Sequence, residues 1–524
     1  MRRRAAQLSE SAARARGGIA GRWLGHPWGW LLLGIGVTAL AGNRFNVALL
    51  GWVSSVPWLI HLRTTQGWRA RLWLLLGLQL GVGLQVAKIV TEPISWSLVP
   101  MFSIPSALGV WLLLVAFEAL RRRLGDGWGL VLFPALSVVG EWLAWRGSGL
   151  GAWGSSAGTQ LDNLALLQTA SLCGLAGVVL LTSVTSATLA VLIASGEPRR
   201  WLRHACVVGA LVLAAHAYGA IRLARSLPGP VVTVAGVVSD VGLTGGGLPS
   251  PEVLEEATEV LLQRSVLAAR RGAQLIVWNE GAVAVEAEHE AALLQRGQAL
   301  AREHGVDLVM AYVVPVDGLA RFENKYVWLT PTGPLETYLK HHPVPGEGSI
   351  RGTEPLVVHQ RPYGRVAGAI CYDYDFPALG LAHARGGAGL VVVPSSDWAG
   401  IDPQHTLMAR IRGIEGGFSV LRPVRWATSG AYDALGRARG TLGWFEDNDR
   451  VLIAQVPVGQ LPTVYAVTGD VLPQGALVLI GLGLVAALRR GAGRGERRIR
   501  RGLRGQHRSR NAGVRSKEGE DDRL

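Results

Sequence analysis

The stretch GRVAGAICYDYDFPALG, residues 364–380, begins as a small apolar strand and continues into a cluster of tyrosines and acids after Cys371. The chain has three cysteines, and the other two, Cys173 and Cys206, lie in long apolar runs. A thiol just beyond a strand end, beside charged groups, is a position that layered α/β enzymes use for a nucleophile. We therefore expect Cys371 to be exposed at the edge of a sheet in an α/β domain.

The segments on both sides of this stretch, within residues 230–466, alternate between strand and helix patterns. Short apolar runs predict strands at 231–238, 274–278, 306–315, 364–371 and 389–396. Helical periodicity predicts helices at 251–272, 287–304 and 403–416. The segment 325–340 contains the turn sequence PTG and predicts a hairpin. Strands that alternate with helices predict an α/β layered fold.

The rest of the chain is apolar enough for a membrane protein. The 524 residues are 49% hydrophobic and 17% charged, whereas about a quarter of a soluble domain is charged. A membrane-spanning helix needs about 20 mostly apolar residues. We predict a membrane domain at 24–225 with seven spans and one final span after the α/β domain, at 24–42, 45–62, 71–90, 98–120, 127–145, 164–195, 204–223 and 471–488.

Basic residues in the loops predict how these spans are oriented. Nine arginines would lie in loops on the side of the N-terminus, against three basic residues in the short loops on the other side. Because cytoplasmic loops carry the excess of Lys and Arg, we expect both termini inside and the 230–466 domain outside the cytoplasm. The net charge of +14 comes largely from the basic ends, 1–23 and 489–524, of which we expect the second to be disordered. We therefore read the charge as membrane anchoring and expect no nucleic-acid partner.

Three polar residues follow strands in the predicted α/β domain: Glu280 after LIVW, Lys340 after LETYL and Cys371 after VAGAI. A carboxylate can take the proton of a thiol, and an ammonium can stabilise the oxyanion that forms when the sulfur attacks a carbonyl. Spacing alone leaves the ordinary interpretation open, in which the three are a helix-start acid, a solvated lysine and a buried cysteine. The wide cysteine spacing indicates neither a disulfide framework nor a metal site.

The motifs around these residues resemble those of the nitrilase superfamily, which has an α-β-β-α sandwich fold. They are LIVWNEGA (275–282), YLKHHPVPGE (338–347) and GAICYDYDFP (368–377). The membrane segment from Glu141 to Leu181 resembles the corresponding part of the apolipoprotein N-acyltransferase family. The whole plan is also similar to that family, with seven spans, a nitrilase-like domain and one last span.

The resemblance implies roles for the site residues. Glu280 would be the general base, Lys340 the oxyanion stabiliser and Cys371 the nucleophile. Three residues would support them, namely a further carboxylate, an aromatic beside the nucleophile and an acid two places after it: Glu347, Tyr372 and Asp373.

The resemblance also implies the reaction and its setting. A phospholipid would acylate the cysteine, and the α-amine of a diacylglyceryl-cysteine apolipoprotein would accept the acyl chain. No cofactor and no metal are expected. We expect a monomer in the bacterial inner membrane with the catalytic domain on the extracytoplasmic side.

The chain departs from the family pattern around the predicted substrate mouth. Asp373 stands where the family usually has Glu, Asn279 replaces a Pro, and a Phe is missing between Pro345 and Gly346. The loop near 240–250 has no counterpart of a family Trp. Three alternatives are a membrane-tethered amidase that uses water as acceptor, a lipid-binding homologue without catalysis, and a transporter.

Overall fold

The chain folds into a helical part followed by an α/β part. The computed structural model describes residues 26–243, 247–318 and 320–490. The expected basic N-terminus and most of the basic tail lie outside these residues. Within residues 26–230 the helical part has ten α-helices: α1 Pro27–Leu40, α2 Ala48–Gly51, α3 Val56–Thr64, α4 Trp68–Ala87, α5 Leu98–Leu124, α6 Asp126–Gly147, α7 Leu164–Leu167, α8 Ala170–Cys173, α9 Leu175–Ala194 and α10 Pro198–Leu223.

Six helices of the described residues are long and apolar enough to cross a membrane. They are α4, α5, α6, α9, α10 and a last helix at Val471–Arg490. Their outward side chains include many large apolar residues, as expected of surfaces that face lipid.

The first two predicted spans and the sixth differ from the observed helices. The 24–42 span corresponds to the 14 residues of α1. The 45–62 span is divided into α2 and α3, because Pro57 starts a new helix and cannot continue the one before it. The 164–195 span is interrupted at Gly174, whose φ of 63° ends α8 and leaves only α9 as a long helix. The eight-span topology stays a prediction.

The two glutamates within the long apolar helices each have hydrogen-bond partners. Glu118 on α5 is 1% exposed and bonds Arg121 and Arg122 of its own helix at 2.7 Å each. Glu141 on α6 accepts hydrogen bonds from the hydroxyls of Ser155 and Ser156, both at 2.6 Å. Glu141 therefore fixes the middle of the loop between α6 and α7, residues 148–163, which we call the α6–α7 loop.

The α/β part consists of two six-stranded sheets and a short two-stranded one. Its strands are β1 Val231–Val237, β2 Leu275–Trp278, β3 Asp307–Asp317, β4 Arg321–Thr330, β5 Gly333–Leu339, β6 His359–Arg361, β7 Gly364–Gly368, β8 Leu390–Val392, β9 Ser395–Ser396, β10 Ser419–Arg422, β11 Val424–Arg425, β12 Ser429–Tyr432, β13 Ala438–Leu442 and β14 Val451–Pro457. Its helices are α11 Pro251–Arg270, α12 Glu290–His304, α13 Pro377–Arg385, α14 Gln404–Gly416 and α15 Val464–Thr468, and α16 is the last apolar helix, Val471–Arg490.

The two large sheets pack face to face with helices outside, which confirms the predicted α-β-β-α sandwich. The first sheet has the order β14-β1-β2-β3-β4-β5 and the second β13-β12-β10-β8-β7-β6. One apolar core joins Val234, Val277 and Trp328 of the first sheet to Val366 and Val391 of the second. A further core lies between the first sheet and helices α11 and α12. The strands β1, β2 and β3 are parallel, as are β7, β8 and β10, so their carboxyl ends meet at one edge.

The α6–α7 loop joins the two parts of the chain at this edge. Ala152 N donates to Asp375 O at 2.7 Å, and the Tyr372 hydroxyl donates to Gly149 O at 3.1 Å. A further bond runs from Trp398 Nε1 to Ile89 O at 2.7 Å. The turn that follows Cys371 is therefore held directly by a loop of the helical part.

Close contact at Gly151 gives a test of this docking. Gly151 has a φ of 56°, and a Cβ there would lie 2.5 Å from Asp375 O. We expect Gly151→Ala to lower the free energy of unfolding by about 1–3 kcal/mol, because alanine is strained in this conformation and meets a backbone oxygen. The matched control is Gly158→Ala, since a Cβ at Gly158 meets nothing within 4 Å. Equal melting temperatures of the two variants in detergent would contradict the docking.

Candidate active site

A buried lysine between two carboxylates forms the centre of the site. Lys340 follows β5, is 2% exposed, and donates to Glu280 Oε1 at 2.8 Å and to Glu347 Oε2 at 2.9 Å. Burial alone lowers the pKa of Lys340, but the charges of Glu280 and Glu347 outweigh it and hold the pKa well above its usual range. Lys340 therefore stays charged, and burial is tolerated because both carboxylates bond it.

The structure brings Cys371 to the same edge, but not as an exposed thiol. Cys371 is 4% exposed, which corrects the expectation from the sequence. Burial, followed by the charges of Glu280 and Asp397, raises the pKa of the Cys371 thiol well above its usual range. The resting group is a neutral thiol, and an attack by sulfur needs a base that removes the proton at that moment.

The backbone of Cys371 has an uncommon conformation. Its φ is 46°, in the left-handed region, and its N–H donates to Pro394 O at 2.9 Å. Such a conformation at a residue with a Cβ costs on the order of 1–3 kcal/mol and requires support from neighbouring contacts.

Ser396 connects the thiol to Glu280. Its backbone N–H donates to Glu280 Oε2 at 3.0 Å, and its carbonyl oxygen lies 3.9 Å from Cys371 Sγ. With one oxygen of Glu280 on Lys340 and the other on Ser396, the three residues predicted from the strand ends form one cluster.

The three predicted supporting residues have different partners. Glu347 bonds Lys340 and also accepts from Val344 N at 2.8 Å. The Tyr372 hydroxyl bonds the α6–α7 loop, as described above. Asp373 accepts from Ile370 N, Tyr338 and His342 N at 3.0, 2.9 and 2.7 Å, so it ties the Cys371 turn to the segment that carries Lys340. The shorter acid therefore has a full set of structural partners here.

One residue missed by the sequence analysis is Asn324 on β4. Its Nδ2 donates to Glu280 Oε1 at 2.7 Å and to Glu347 Oε1 at 3.0 Å, so it joins the two carboxylates. The sequence gives little indication of this role, because Asn324 is a single polar residue within a strand. Its contacts depend on how that strand pairs with its neighbours in the sheet.

A second missed group lies behind the thiol. Asp397 Oδ1 is 3.9 Å from Cys371 Sγ and 2.8 Å from His405 Nδ1, and Asp397 Oδ2 accepts from Arg422 at 2.9 Å. His405 Nε2 lies 3.0 Å from Asp375 Oδ2, which also accepts from Trp153 of the α6–α7 loop at 2.8 Å. Asp397 could have been found, because it follows the strand β9 as the other site residues follow theirs.

This second group is a network of charges rather than an open ligand set. Cys371, Asp397 and His405 offer metal-ligand atoms within 4.8 Å of one another. The guanidinium of Arg422 donates to both oxygens of Asp397 and lies 2.8 Å from His405 Nδ1, where a metal ion would have to bind. Burial lowers the pKa of His405, but Asp375 and Asp397 outweigh it and raise the pKa to about 9.

Comparison with known proteins covers nearly the whole chain. The model of the apolipoprotein N-acyltransferase N-terminal domain matches residues 34–188, and the carbon-nitrogen hydrolase model matches residues 244–464. An apolipoprotein N-acyltransferase of Gloeobacter violaceus is 30% identical over 508 residues, which cover 88% of this chain and 93% of the relative. The chain belongs to the apolipoprotein N-acyltransferase family. The family resemblance seen in the sequence is thereby confirmed, and with its six apolar helices the chain is a membrane-bound bacterial protein.

Two further proteins are similar to parts of the chain. A second family member, from Bradyrhizobium diazoefficiens, is 30% identical over 414 residues, which cover 69% of this chain and 73% of the relative. Among solved structures, an amidase from Nesterenkonia sp. matches 44% of this chain and 92% of its own length, with 20% identity and a TM-score of 0.36.

The charge on His405 predicts how stability depends on pH. The pKa of His405 is about 9 in the folded protein against an ordinary 6.5, so its pairs with Asp375 and Asp397 stabilise the fold fully below pH 6.5. This contribution, on the order of 3 kcal/mol, declines as pH rises towards 9. We expect His405→Gln to melt below the wild type at pH 6, with a gap that narrows by pH 9.5.

His383 provides the matched control. It is also buried, next to Tyr374, and burial lowers its pKa to about 4. Folded His383 is therefore neutral from pH 6 to 9.5, and only the unfolded imidazole titrates there, so the difference in stability between His383→Gln and the wild type should stay constant to within about 1 kcal/mol over that window. A constant difference for His405→Gln as well would show that His405 is not charged in the folded protein.

Proposed function

We propose that the chain is an N-acyltransferase that moves a fatty acyl group from a phospholipid to the α-amine of a diacylglyceryl-cysteine apolipoprotein. The acyl group would pass through a thioester on Cys371. The observation that supports this most directly is the cluster of Glu280, Lys340 and Cys371 at one sheet edge, in a chain of this family.

In the first step, Glu280 takes the thiol proton while Cys371 Sγ attacks the ester carbonyl carbon of the phospholipid. The carbonyl oxygen becomes an oxyanion, and the ammonium of Lys340 stabilises it. The ester C–O bond then breaks, the leaving alkoxide takes the proton from Glu280, and lysophospholipid departs. The buried neutral thiol fits this order, because deprotonation and attack must occur together.

In the second step, the neutral α-amine of the apolipoprotein attacks the thioester carbon. Glu280 takes a proton from the attacking nitrogen, the C–S bond breaks, and the sulfur regains that proton as the thiol. A thioester reacts more readily with an amine than an oxygen ester does, so the covalent intermediate replaces one difficult step by two easier ones.

Glu347 and Asn324 would set the charge of the site during both steps. Glu347 shares the ammonium with Glu280, and Asn324 holds both carboxylates. Because the positive charge of Lys340 is shared between two carboxylates, Glu280 keeps enough negative charge to act as a base. Tyr372 would hold the nucleophile turn against the α6–α7 loop.

The orientation in the membrane follows from charge. The α/β part contacts the ends of the helices near Asn43, Ile89 and the α6–α7 loop. The basic clusters that include Arg63 and Arg121 lie near the opposite ends of α3 and α5. This arrangement supports a location in the inner membrane, with both termini in the cytoplasm and the site on the extracytoplasmic side. The protein would act there as a monomer and without a nucleic-acid partner.

The covalent intermediate gives the main test. Incubation with phospholipid alone should add one fatty-acyl mass to the wild type, removable by hydroxylamine and absent from Cys371→Ala. Glu280→Gln should slow its formation by about 10²–10⁴-fold, because the thiol then lacks its base. Intact-mass spectrometry over time measures both.

The control is Cys206→Ala, which removes an exposed thiol and should leave the adduct unchanged. An adduct that persists in Cys371→Ala would refute the assignment of the nucleophile. An adduct that releases only free fatty acid when the apolipoprotein is added would identify an amidase-like hydrolase, and no adduct on any donor would favour a protein without catalysis.

Reporter fusions test the topology. A reporter inserted at Gly246 should be extracytoplasmic, and one fused after Arg510 should be cytoplasmic, because the basic loops fix the orientation. Location of both reporters on one side of the membrane would contradict the eight-span topology.

A further inference from the structure

A second buried cation beside the site has donors for which residues 26–243, 247–318 and 320–490 offer no acceptor. Arg425, at the end of β11, is 2% exposed. Its Nη2 donates to Ser396 Oγ at 2.8 Å, whereas its Nε and Nη1 have no hydrogen-bond partner among the residues that the structure describes. Buried guanidinium groups are normally paired, because unsatisfied donors on a charged group are costly. The neighbouring Arg422 also has an unpartnered Nε among the described residues, but its other nitrogens bond both oxygens of Asp397, whereas Arg425 has no carboxylate partner there.

Arg425 is connected to the reacting groups through Ser396. Ser396, which accepts from Arg425, donates to Glu280 and lies 3.9 Å from Cys371 Sγ through its carbonyl oxygen. A single residue therefore separates the guanidinium from both the base and the thiol.

The surroundings of the guanidinium are shaped for a planar cation. The ring centroid of Trp426 is 4.2 Å from Arg425 Cζ and covers one face. Trp426 has a φ of 61°, so the backbone adopts an uncommon conformation to place it there. A Cβ at Gly242 would lie 2.7 Å from Arg425 Nη1, so any larger residue at this position would fill the space beside that nitrogen.

We propose that Arg425 binds the phosphodiester anion of the acyl donor while the ester carbonyl of that donor lies at Cys371. The inference rests on the proposed function and adds the recognition of one substrate to it. In a glycerophospholipid, a few covalent bonds separate the acyl ester from the phosphate, and Ser396 provides a comparably short spacing between thiol and guanidinium. Guanidinium groups match phosphate oxygens in charge and geometry.

This contact would also distinguish the two lipid substrates. The donor has a phosphodiester near its ester, and the diacylglyceryl acceptor has none. Arg425 would therefore favour the donor before acylation and hold the charged lysophospholipid as it leaves. Burial lowers the pKa of Arg425 to about 10, against the opposing effect of Glu280, so the group still carries its charge at neutral pH.

The test compares two acyl donors with the same fatty acid. One is a phosphatidylglycerol in detergent micelles, and the other is a p-nitrophenyl ester, which has no phosphate. The rate of acylation of Cys371 is followed by intact mass for the wild type, Arg425→Gln and Arg425→Lys. The control is Arg296→Gln, since Arg296 lies on α12 and pairs with Glu255 and Glu259 of α11.

We expect Arg425→Gln to lower the ratio of the phospholipid rate to the p-nitrophenyl ester rate by about 10- to 100-fold. Arg425→Lys should retain more of that ratio because it keeps the charge, and Arg296→Gln should keep all of it. An equal loss of acylation rate with both donors would mean that Arg425 only positions Ser396. That result would overturn this inference but not the proposed function. Unchanged acylation rates with both donors in Arg425→Gln would overturn it too.

Two further outcomes separate this inference from the proposed function. Absence of an adduct on the wild type with either donor would overturn the proposed function, and the inference with it. Inorganic phosphate at millimolar concentration should leave the wild-type rates unchanged, because the acyl chains hold the headgroup in place. Inhibition by phosphate in the wild type but not in Arg425→Gln would identify a site for free phosphate and overturn the assignment to the lipid headgroup.

Discussion

The burial of the Lys340 ammonium is the constraint on which the site depends. A charge removed from water requires opposite charge and hydrogen bonds at close distance. Here Glu280 and Glu347 provide both, from two different loops, at 2.8 and 2.9 Å. These contacts fix the two loops relative to each other, so the pairing that makes burial tolerable also fixes the positions of the groups that the proposed mechanism uses.

A second constraint acts on the turn at residues 371–375, because the backbone of Cys371 in this turn is strained. Different side chains of this turn bond different parts of the molecule. Asp373 bonds the segment after β5, whereas Tyr372 and Asp375 bond the α6–α7 loop. Contacts on both sides stabilise a backbone conformation that the turn would not keep by itself.

Most of the α/β fold could be predicted from the sequence, because its strands are short apolar runs bounded by turn residues. Glu280, Lys340 and Cys371 were found for the same reason, since a residue after a strand is a local feature of the sequence. Asn324 was not found, because its partners depend on the register of β4 with its neighbours. His405 lies on a helix and meets Asp375 and Asp397 only after folding.

In the helical part, a run of apolar residues gave the approximate place of a helix but not its breaks. Pro57 divides one predicted span, and Gly174 interrupts another. Seven consecutive residues of α3 are buried although the helix has only 9 residues, so it packs inside the bundle rather than facing lipid. Apolar composition is the same in both environments, and only packing distinguishes them.

The bond between Trp153 and Asp375 has a consequence for the order in which the protein is made. Chains emerge from the ribosome with the N-terminal segment first. The α6–α7 loop is therefore synthesised more than two hundred residues before the turn it holds. The helical part is therefore already available as a template when the turn that carries Cys371 is made.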